Sequence, residues 1–170
     1  MIAYNSYIAN GFVYMPMYVG PYEHGHPLLN ANDGYYAQSL LVVHGSGDYH
    51  VRDTEDGAET STALPAPGSF HDVSANYEKY HCLEAGSNGL AVVFFNPLPI
   101  TNTLAFEKLT AGTHTVNNSS EADKYVVCVN GPITIGDKNV VAHRYGTVHP
   151  GETYTVTVPT NSLAVVVTVS

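Results

Sequence analysis

Short apolar runs with strand-like alternation make up most of this chain, and turn-forming residues separate them about every ten residues. Valine, threonine and tyrosine, which favour the pleated backbone of a sheet, are abundant, whereas helical periodicity is scarce. A strand is predicted over residues 12–19, and stronger strands over residues 36–43, 90–95, 125–129, 153–158 and 163–169. The pattern therefore predicts an all-β sandwich or barrel.

Two of these segments carry further information. Residues 12–19 alternate between a face of valine and methionine and a face of tyrosine, and Pro16 interrupts the second face. Because proline has no backbone N–H to donate, we expect this strand to lie at a sheet edge or to contain a bulge. Residues 163–169 are apolar almost throughout, which predicts that both faces of that strand are covered.

Three landmarks occur twice in the same order along the chain, which indicates two copies of one β-rich unit. They are an apolar run ending in glycine, a Pro-Gly pair and the phrase Leu-Ala-Val-Val, found at residues 40–45, 67–68 and 90–93 and again at 125–131, 150–151 and 163–166. The proline-containing stretch between the copies is the best linker. We predict a first unit over residues 1–97 with a tyrosine-rich amino-terminal arm, a linker over 98–103 and a second unit over 104–170.

The composition supports a real core but an unusual surface. Hydrophobic residues make up 44% of the chain and charged residues only 12%, about half the usual share. The polar surface must then consist largely of glycine, threonine, asparagine, serine and tyrosine, as in extracellular and virion β-proteins. Cys82 and Cys128 lie in apolar, strand-like contexts, so we expect buried free thiols rather than a disulfide framework.

Charge and hydropathy exclude several classes of partner. Six basic residues stand against fifteen acidic ones, a formal net charge of −9, and no basic cluster is present. Phosphate-rich partners need such clusters, so we expect no nucleic acid and no membrane partner. The amino terminus lacks the pattern of a signal peptide, and no apolar run has the length of a transmembrane segment. We expect a virion location if the protein is viral, and otherwise a soluble cytoplasmic one.

Two short motifs resemble those of the cupin superfamily. His24-Gly25-His26 matches the His-x-His of the family's first motif, and Gln38, seven residues before Gly45, takes the place of its acidic ligand. Residues 68–71, a glycine followed after two residues by His71, match the second motif. The resemblance covers about residues 12–97 and again 104–170. It implies a double-stranded β-helix, or jelly roll, in tandem as a degenerate bicupin.

The chain departs from the family pattern in ways that bear on function. The gap from His26 to Gly45 is longer than usual, and Gln38 replaces a carboxylate. In the second unit His114 stands alone, Lys124 takes the acidic position, and Tyr154 stands where the second motif has histidine. The second unit is therefore expected to lack metal ligands.

The resemblance implies one candidate metal site, in the first unit. Neutral imidazoles suit iron, zinc, nickel or manganese, and open coordination positions would admit a substrate. The candidate ligands are His24, His26 and His71, with Gln38 as a weak fourth, and the candidate proton donors are Tyr22, Tyr36 and Tyr49. The alternative is that the first two histidines form a surface turn and the third caps a strand. We expect the remaining histidines, His81 among them, to be structural.

The first 36 residues hold seven of the thirteen tyrosines. Tyrosine is enriched at protein interfaces because it buries much area and keeps a polar tip. A docking arm is therefore predicted, formed by Tyr4, Tyr7, Phe12, Tyr14 and Tyr18. Ordinary core and edge packing is the alternative.

These observations favour a non-catalytic structural protein that assembles with itself or on a larger protein surface, such as a phage capsid decoration protein. In that case we expect no cofactor. Two alternatives stay open: a small metal-dependent cupin enzyme (a dioxygenase, isomerase or lyase) and a carbohydrate-binding module.

Overall fold

The computed structural model describes residues 2–4, 7–25, 39–54, 56–74 and 79–170. These residues form sixteen β-strands and no α-helix, which confirms the predicted all-β class. None of them forms a helix of the length and apolarity required to cross a membrane. The chain divides into two compact units, Met1–Thr101 and Asn102–Ser170, and the division falls inside the segment assigned as a linker.

The amino-terminal unit is built on two unusually long strands that pair with each other. Its strands are β1 (Ile2–Tyr4), β2 (Tyr7–Ala9), β3 (Phe12–Val19), β4 (His24–Gly25), β5 (Ser39–Arg52), β6 (Glu59–Ala63), β7 (Phe70–Asp72) and β8 (Tyr80–Pro97). For β1, β2 and β4 only the backbone is described. β5 and β8 pair antiparallel on both sides of an irregularity at the middle of each strand.

The two halves of each long strand belong to different layers. In the first layer, residues 39–45 of β5 pair with 90–95 of β8, and β7 and β3 flank them. In the second layer, residues 47–52 pair with 80–85, and β6 and β4 flank them. Apolar side chains from both layers form one buried cluster, so the bent pair folds over a shared core.

Glycines make this bend possible. Gly45 has a φ of +83°, and a Cβ placed on it would collide with the carbonyl oxygen of Gly89. Gly89 itself has a φ of +73°, and a Cβ there would lie 2.8 Å from the Tyr18 hydroxyl oxygen. Left-handed backbone costs little only for glycine, so both strands depend on it where they cross between layers.

The expectation for Pro16 is wrong, because β3 is an internal strand. It pairs with β8 along its whole length, and on its other side it pairs with β1 at Met17–Val19 and with β2 at Phe12–Tyr14. Pro16 pairs with Val93 of β8 in uninterrupted register, so β3 contains no bulge toward β8.

The carboxy-terminal unit has eight strands in two separate sheets. They are β9 (Leu104–Leu109), β10 (Gly112–Asn117), β11 (Lys124–Asn130), β12 (Ile133–Ile135), β13 (Lys138–Val140), β14 (Arg144–Val148), β15 (Thr153–Val158) and β16 (Leu163–Val169). The sheet orders are β14-β11-β16-β9 and β10-β15-β12-β13. Side chains from both sheets form one apolar core cluster.

The two units share one topology, which supports the predicted repeat. Replacing β5 by β11 and β12, and β8 by β15 and β16, converts the strand pairings of the first unit into those of the second. Two landmarks, however, are not equivalent position by position. The first Pro-Gly pair precedes β7, whereas the second follows β14, the corresponding strand. Each is a turn, with a φ of +84° at Gly68 and +82° at Gly151.

The repeated phrase also lies out of phase by one residue. Leu90 and Val92 face the core of the first unit, whereas Ala164 and Val166 face the core of the second. Side chains alternate along a strand, so the same four letters present opposite faces in the two units. Residues 164–167 are buried on both faces, as predicted.

Both cysteines are free and buried, which confirms the expectation for them. Burial raises the pKa of both thiols, that of Cys128 to about 11. Since the thiolate is the reactive form, both are expected to be poor nucleophiles in the folded chain.

We predict that Gly45→Ala destabilises the fold far more than Gly151→Ala. Both substitutions meet a left-handed backbone, which costs about 1–2 kcal/mol. At Gly151 a new Cβ meets nothing within 4 Å, whereas at Gly45 it meets backbone across the bend. We expect about 3 kcal/mol or more for Gly45→Ala, measured by urea unfolding followed by circular dichroism. Equal losses in the two variants would contradict the proposed role of the bend.

Candidate functional site

A group of polar side chains lies in the core of the amino-terminal unit, where the two layers face each other. His71 on β7 pairs in register with Leu40, a member of the core cluster, so its side chain lies on the core face of the first layer. Tyr49 on β5 belongs to the cluster from the second layer. His81 on β8 pairs with Val51, which packs against the same cluster.

These three side chains are in contact. The Tyr49 hydroxyl oxygen lies 3.0 Å from Nδ1 of His81, and their ring centroids are 5.7 Å apart. The ring of His71 meets that of Tyr49 edge-on, with centroids 5.5 Å apart. Tyr49 is 1% exposed and His81 8% exposed, while His71 is half-buried. Tyr49 therefore links the two imidazoles across the layers.

One nitrogen of the cluster is unsatisfied. Nε2 of His81 is buried and finds no hydrogen-bond partner among the residues that the structure describes. Burial lowers the pKa of His81 to about 4, so the ring is neutral at neutral pH. With Nδ1 engaged by Tyr49, Nε2 is either a single N–H donor or a single lone-pair acceptor, as the tautomer dictates.

The surroundings of the cluster are apolar. The core residues around it are aliphatic or aromatic and include Leu40, Val73, Leu83 and Phe94. In such low-dielectric surroundings a hydrogen bond to Nε2 is stronger than in water, and an unmade one is costly.

The structure brings together two residues that the sequence singles out and one that it assigns to structure. His71 and Tyr49 were candidates, whereas His81 was not. The phase of β8 carries the missing signal, because His81, Leu83 and Ala85 alternate onto the face that Tyr49 shares. Read as neighbours in sequence, His81 and Cys82 look like a pair, but they lie on opposite faces of the strand.

The remaining predicted site residues stand apart from this cluster or outside the description. His26, Tyr36 and Gln38 lie outside the described residues. The backbone of His24 lies in β4 and pairs in register with Glu84. Tyr22 is 75% exposed at a turn with a φ of +58°, so it does not belong to the buried cluster.

In the described part of the chain, no three histidine, cysteine, aspartate or glutamate side chains converge as a metal centre requires. The described donors near His71 are one further imidazole and a phenol. They do not by themselves complete the metal site that the family resemblance implies.

The predicted docking arm divides between core and surface. Phe12 and Tyr14 are buried in the unit's own packing, where both contact the ring of Phe95, with centroids 6.4 and 5.4 Å away respectively. Tyr18 is 39% exposed. For Tyr4 and Tyr7 the backbone is described, in β1 and β2. Packing within the unit, the alternative reading, therefore accounts for Phe12 and Tyr14.

A second polar group lies on the outer face of the second layer, and its members are paired. Nδ1 of His50 lies 2.8 Å from a carboxylate oxygen of Glu59, and Nε2 lies 3.1 Å from one of Glu84. Arg52 Nε lies 3.1 Å from the other Glu59 oxygen. These contacts join β5, β6 and β8 and leave no evident requirement for a ligand.

In the carboxy-terminal unit the corresponding residues are used locally. His114 Nε2 contacts the carbonyl oxygen of Thr110 at 2.7 Å, and Lys124 Nζ donates to the carbonyl oxygen of Asn117 at 3.0 Å. The exposed His149 lies 2.8 Å from Asp123, and this contact raises the pKa of His149. The core cluster of this unit is apolar apart from Cys128 and the partly buried Tyr154.

We predict that His81 makes the amino-terminal unit sensitive to acid. Folding lowers the pKa of His81. The unfolded chain therefore binds a proton at this residue near pH 6.5, whereas the folded chain binds it only near pH 4. The contribution of His81 to the free energy of unfolding is therefore fully present above pH 6.5. It is lost as the pH falls toward 4, which lowers stability by up to about 3 kcal/mol. Urea unfolding at pH 7 and pH 4.5 should show a smaller loss for His81→Gln than for the wild type.

His149→Gln is the matched control with the opposite sign. The folded pKa of His149 is raised, so its contribution is present at acid pH and disappears as the pH rises through that pKa. Identical acid losses in the wild type and His81→Gln would contradict the assignment of a buried neutral imidazole.

Comparisons with known proteins give the fold a name. No family model matches the sequence, and no curated protein matches it. Among solved structures, a conserved protein of unknown function from Pseudomonas aeruginosa superposes with a TM-score of 0.67 at 14% identity, covering 99% of this chain and 88% of that one.

Two further similar structures have names that state their fold or their activity. A cupin 2 conserved barrel domain protein from Leptotrichia buccalis has a TM-score of 0.52 at 8% identity, over 98% of this chain and 88% of that one. A deletion variant of Bacillus subtilis oxalate decarboxylase has a TM-score of 0.61 at 8% identity, over 98% and 72%. At these identities the likeness concerns the fold, and the chain has the cupin-like, double-stranded β-helix fold that its motifs imply.

Proposed function

We propose that this chain binds a small polar molecule in the interior of its amino-terminal unit, where His81, Tyr49 and His71 form the polar wall of the site. The observation that carries the proposal is the buried, unsatisfied Nε2 of His81. Native structures leave few buried polar atoms without a partner, and each one costs about 1–3 kcal/mol. A ligand that bonds to Nε2 recovers that cost.

The position of the cluster supports binding there. The interiors of small β-barrels and jelly rolls hold one small ligand between their layers, with mostly apolar walls and a few placed polar groups. His71 and His81 come from opposite layers and meet through Tyr49, which matches that arrangement.

Binding fits the cluster better than catalysis. An efficient general base has a pKa near the working pH, whereas burial holds the pKa of His81 near 4. Burial alone causes the shift in the pKa of His81, and no described carboxylate opposes it. Such an imidazole is a good hydrogen-bonding partner and a weak proton acceptor.

Assembly is the second candidate function, and one surface feature favours it. Tyr22 is 75% exposed on a left-handed backbone, and Tyr18 on β3 is 39% exposed. The charged share of 12% would lower repulsion between copies. The similar solved structures give no support to a virion role. Sedimentation at micromolar concentration tests assembly, and a monomer whose size is unchanged in Tyr22→Ser would argue against it.

A ligand screen tests the proposed function. Purified chain is titrated with a library of small neutral and charged molecules, and binding is followed by amide NMR shifts. We expect hits that move residues of β5, β7 and β8, and that lose at least about tenfold in affinity in His81→Phe, since one hydrogen bond in a buried site is worth about 1.4 kcal/mol. His44→Ala, at an exposed position of β5, is the control that should bind normally.

Two outcomes would overturn the proposal. One is a library without a ligand whose affinity depends on His81. The other is stoichiometric transition metal in the purified protein that is lost in a His24→Ala, His71→Ala double variant, which would favour the metal-dependent alternative.

A further inference from the structure

We infer that the ligand of the amino-terminal site is a neutral ring with an amide edge, an N–H and a C=O side by side as in a lactam, imide or cyclic ureide, and that Asn96 binds that edge. This inference rests on the proposed function and adds the chemical class of the ligand. It comes from a second unsatisfied side chain in the same core.

Asn96 has a buried carboxamide that no described residue satisfies. Its side chain lies in β8, and the residue is 1% exposed. Among the described residues, neither Oδ1 nor Nδ2 finds a hydrogen-bond partner. Two buried atoms on one carboxamide that no described residue satisfies, in a strand that is otherwise well packed, are the observation from which we infer a bound ligand.

The ladder places Asn96 on the same face as the polar cluster. Val13 and Met15 of β3 pair in uninterrupted register with Asn96 and Phe94, so Asn96 shares the core face of Phe94. Phe94 pairs with Leu40, which in turn pairs with His71. Asn96 therefore lies one row, about 7 Å, along the strands from the row that contains His71, and two strands across from His71 because β5 separates β8 from β7.

The chemistry of a carboxamide specifies its complement. Oδ1 accepts and the Nδ2 amino group donates, on adjacent atoms in one plane. A ligand that satisfies both at once presents a donor beside an acceptor, which is the geometry of a cis-amide edge. The Nε2 of His81 remains for a second polar atom of the same ligand.

The core around these groups favours an uncharged ligand. The cluster that contains Tyr49 and Phe94 consists of apolar and aromatic side chains. Bringing an ionised carboxylate or ammonium into it would require a charged partner to offset desolvation. A sugar carries more hydroxyl groups than the three unsatisfied atoms of Asn96 and His81 can satisfy. A flat ring with one amide edge matches both the polar atoms and the apolar walls.

The test uses simple probes of each class on the full chain. δ-Valerolactam, glutarimide and dihydrouracil carry the amide edge, whereas N-methyl-δ-valerolactam keeps the ring and loses the donor. Cyclohexanecarboxylate and glucose represent charged and polyhydroxylated ligands. We expect amide NMR titration to show saturable binding of at least one of the first three, and at least tenfold weaker binding of the N-methylated compound.

Asn96→Leu provides a readout that a structural role would not give. Leucine has a similar volume and removes both orphaned atoms, so we expect a melting temperature equal to or above that of the wild type, together with at least tenfold weaker lactam binding. A large loss of stability in Asn96→Leu would show that the side chain holds the fold instead. Ser162→Ala, in the other unit, controls for unspecific effects of substitution on binding.

The two proposals fail in distinguishable ways. If no amide probe binds at millimolar concentration, or if Asn96→Leu binds them as well as the wild type, the inference about the amide edge is overturned. If sugar or carboxylate binds through His81 while the amides do not, the site stands and its ligand class is wrong. If no probe depends on His81, both fail.

Discussion

The antiparallel pairing of β5 with β8 across their bends is the interaction on which the amino-terminal unit depends. Each long strand contributes to both layers, so one pair of strands fixes which residues face each other across the core. His71 reaches the core from the first layer, and Tyr49 and His81 reach it from the second. The glycines at the bend let both strands turn from one layer to the other, which brings these side chains together.

Much of this fold could be predicted from the sequence, because burial of alternate residues produces an alternating pattern of apolar and polar residues. Alternating apolar residues and turn residues predict the main strands. The repeated landmarks and the proline-containing stretch between them predict two units. Pro16 was misread because a sequence shows that an N–H is missing but not which neighbour would have used it. That depends on which strands flank β3, and one of them, β8, is distant in the sequence.

The candidate site was less accessible to sequence reasoning. His71 was found through a motif and Tyr49 as one of several tyrosines, but no spacing connects them, since their contact is made across two layers. His81 and Asn96 carry no motif at all. They are distinguished by buried nitrogen or oxygen atoms that no described residue satisfies, and only the three-dimensional arrangement of neighbours reveals this.

The offset of the Leu-Ala-Val-Val phrase bears on how the two units became different. A strand with one polar face cannot slip by a single residue, because every side chain would exchange water for core. β16 and residues 90–95 of β8 are apolar on both sides, so such a slip exchanges one buried environment for another. In such strands a shift of one residue changes stability little, so two copies of a unit can diverge there. Glycine turns and strands with a polar face keep their register in each copy.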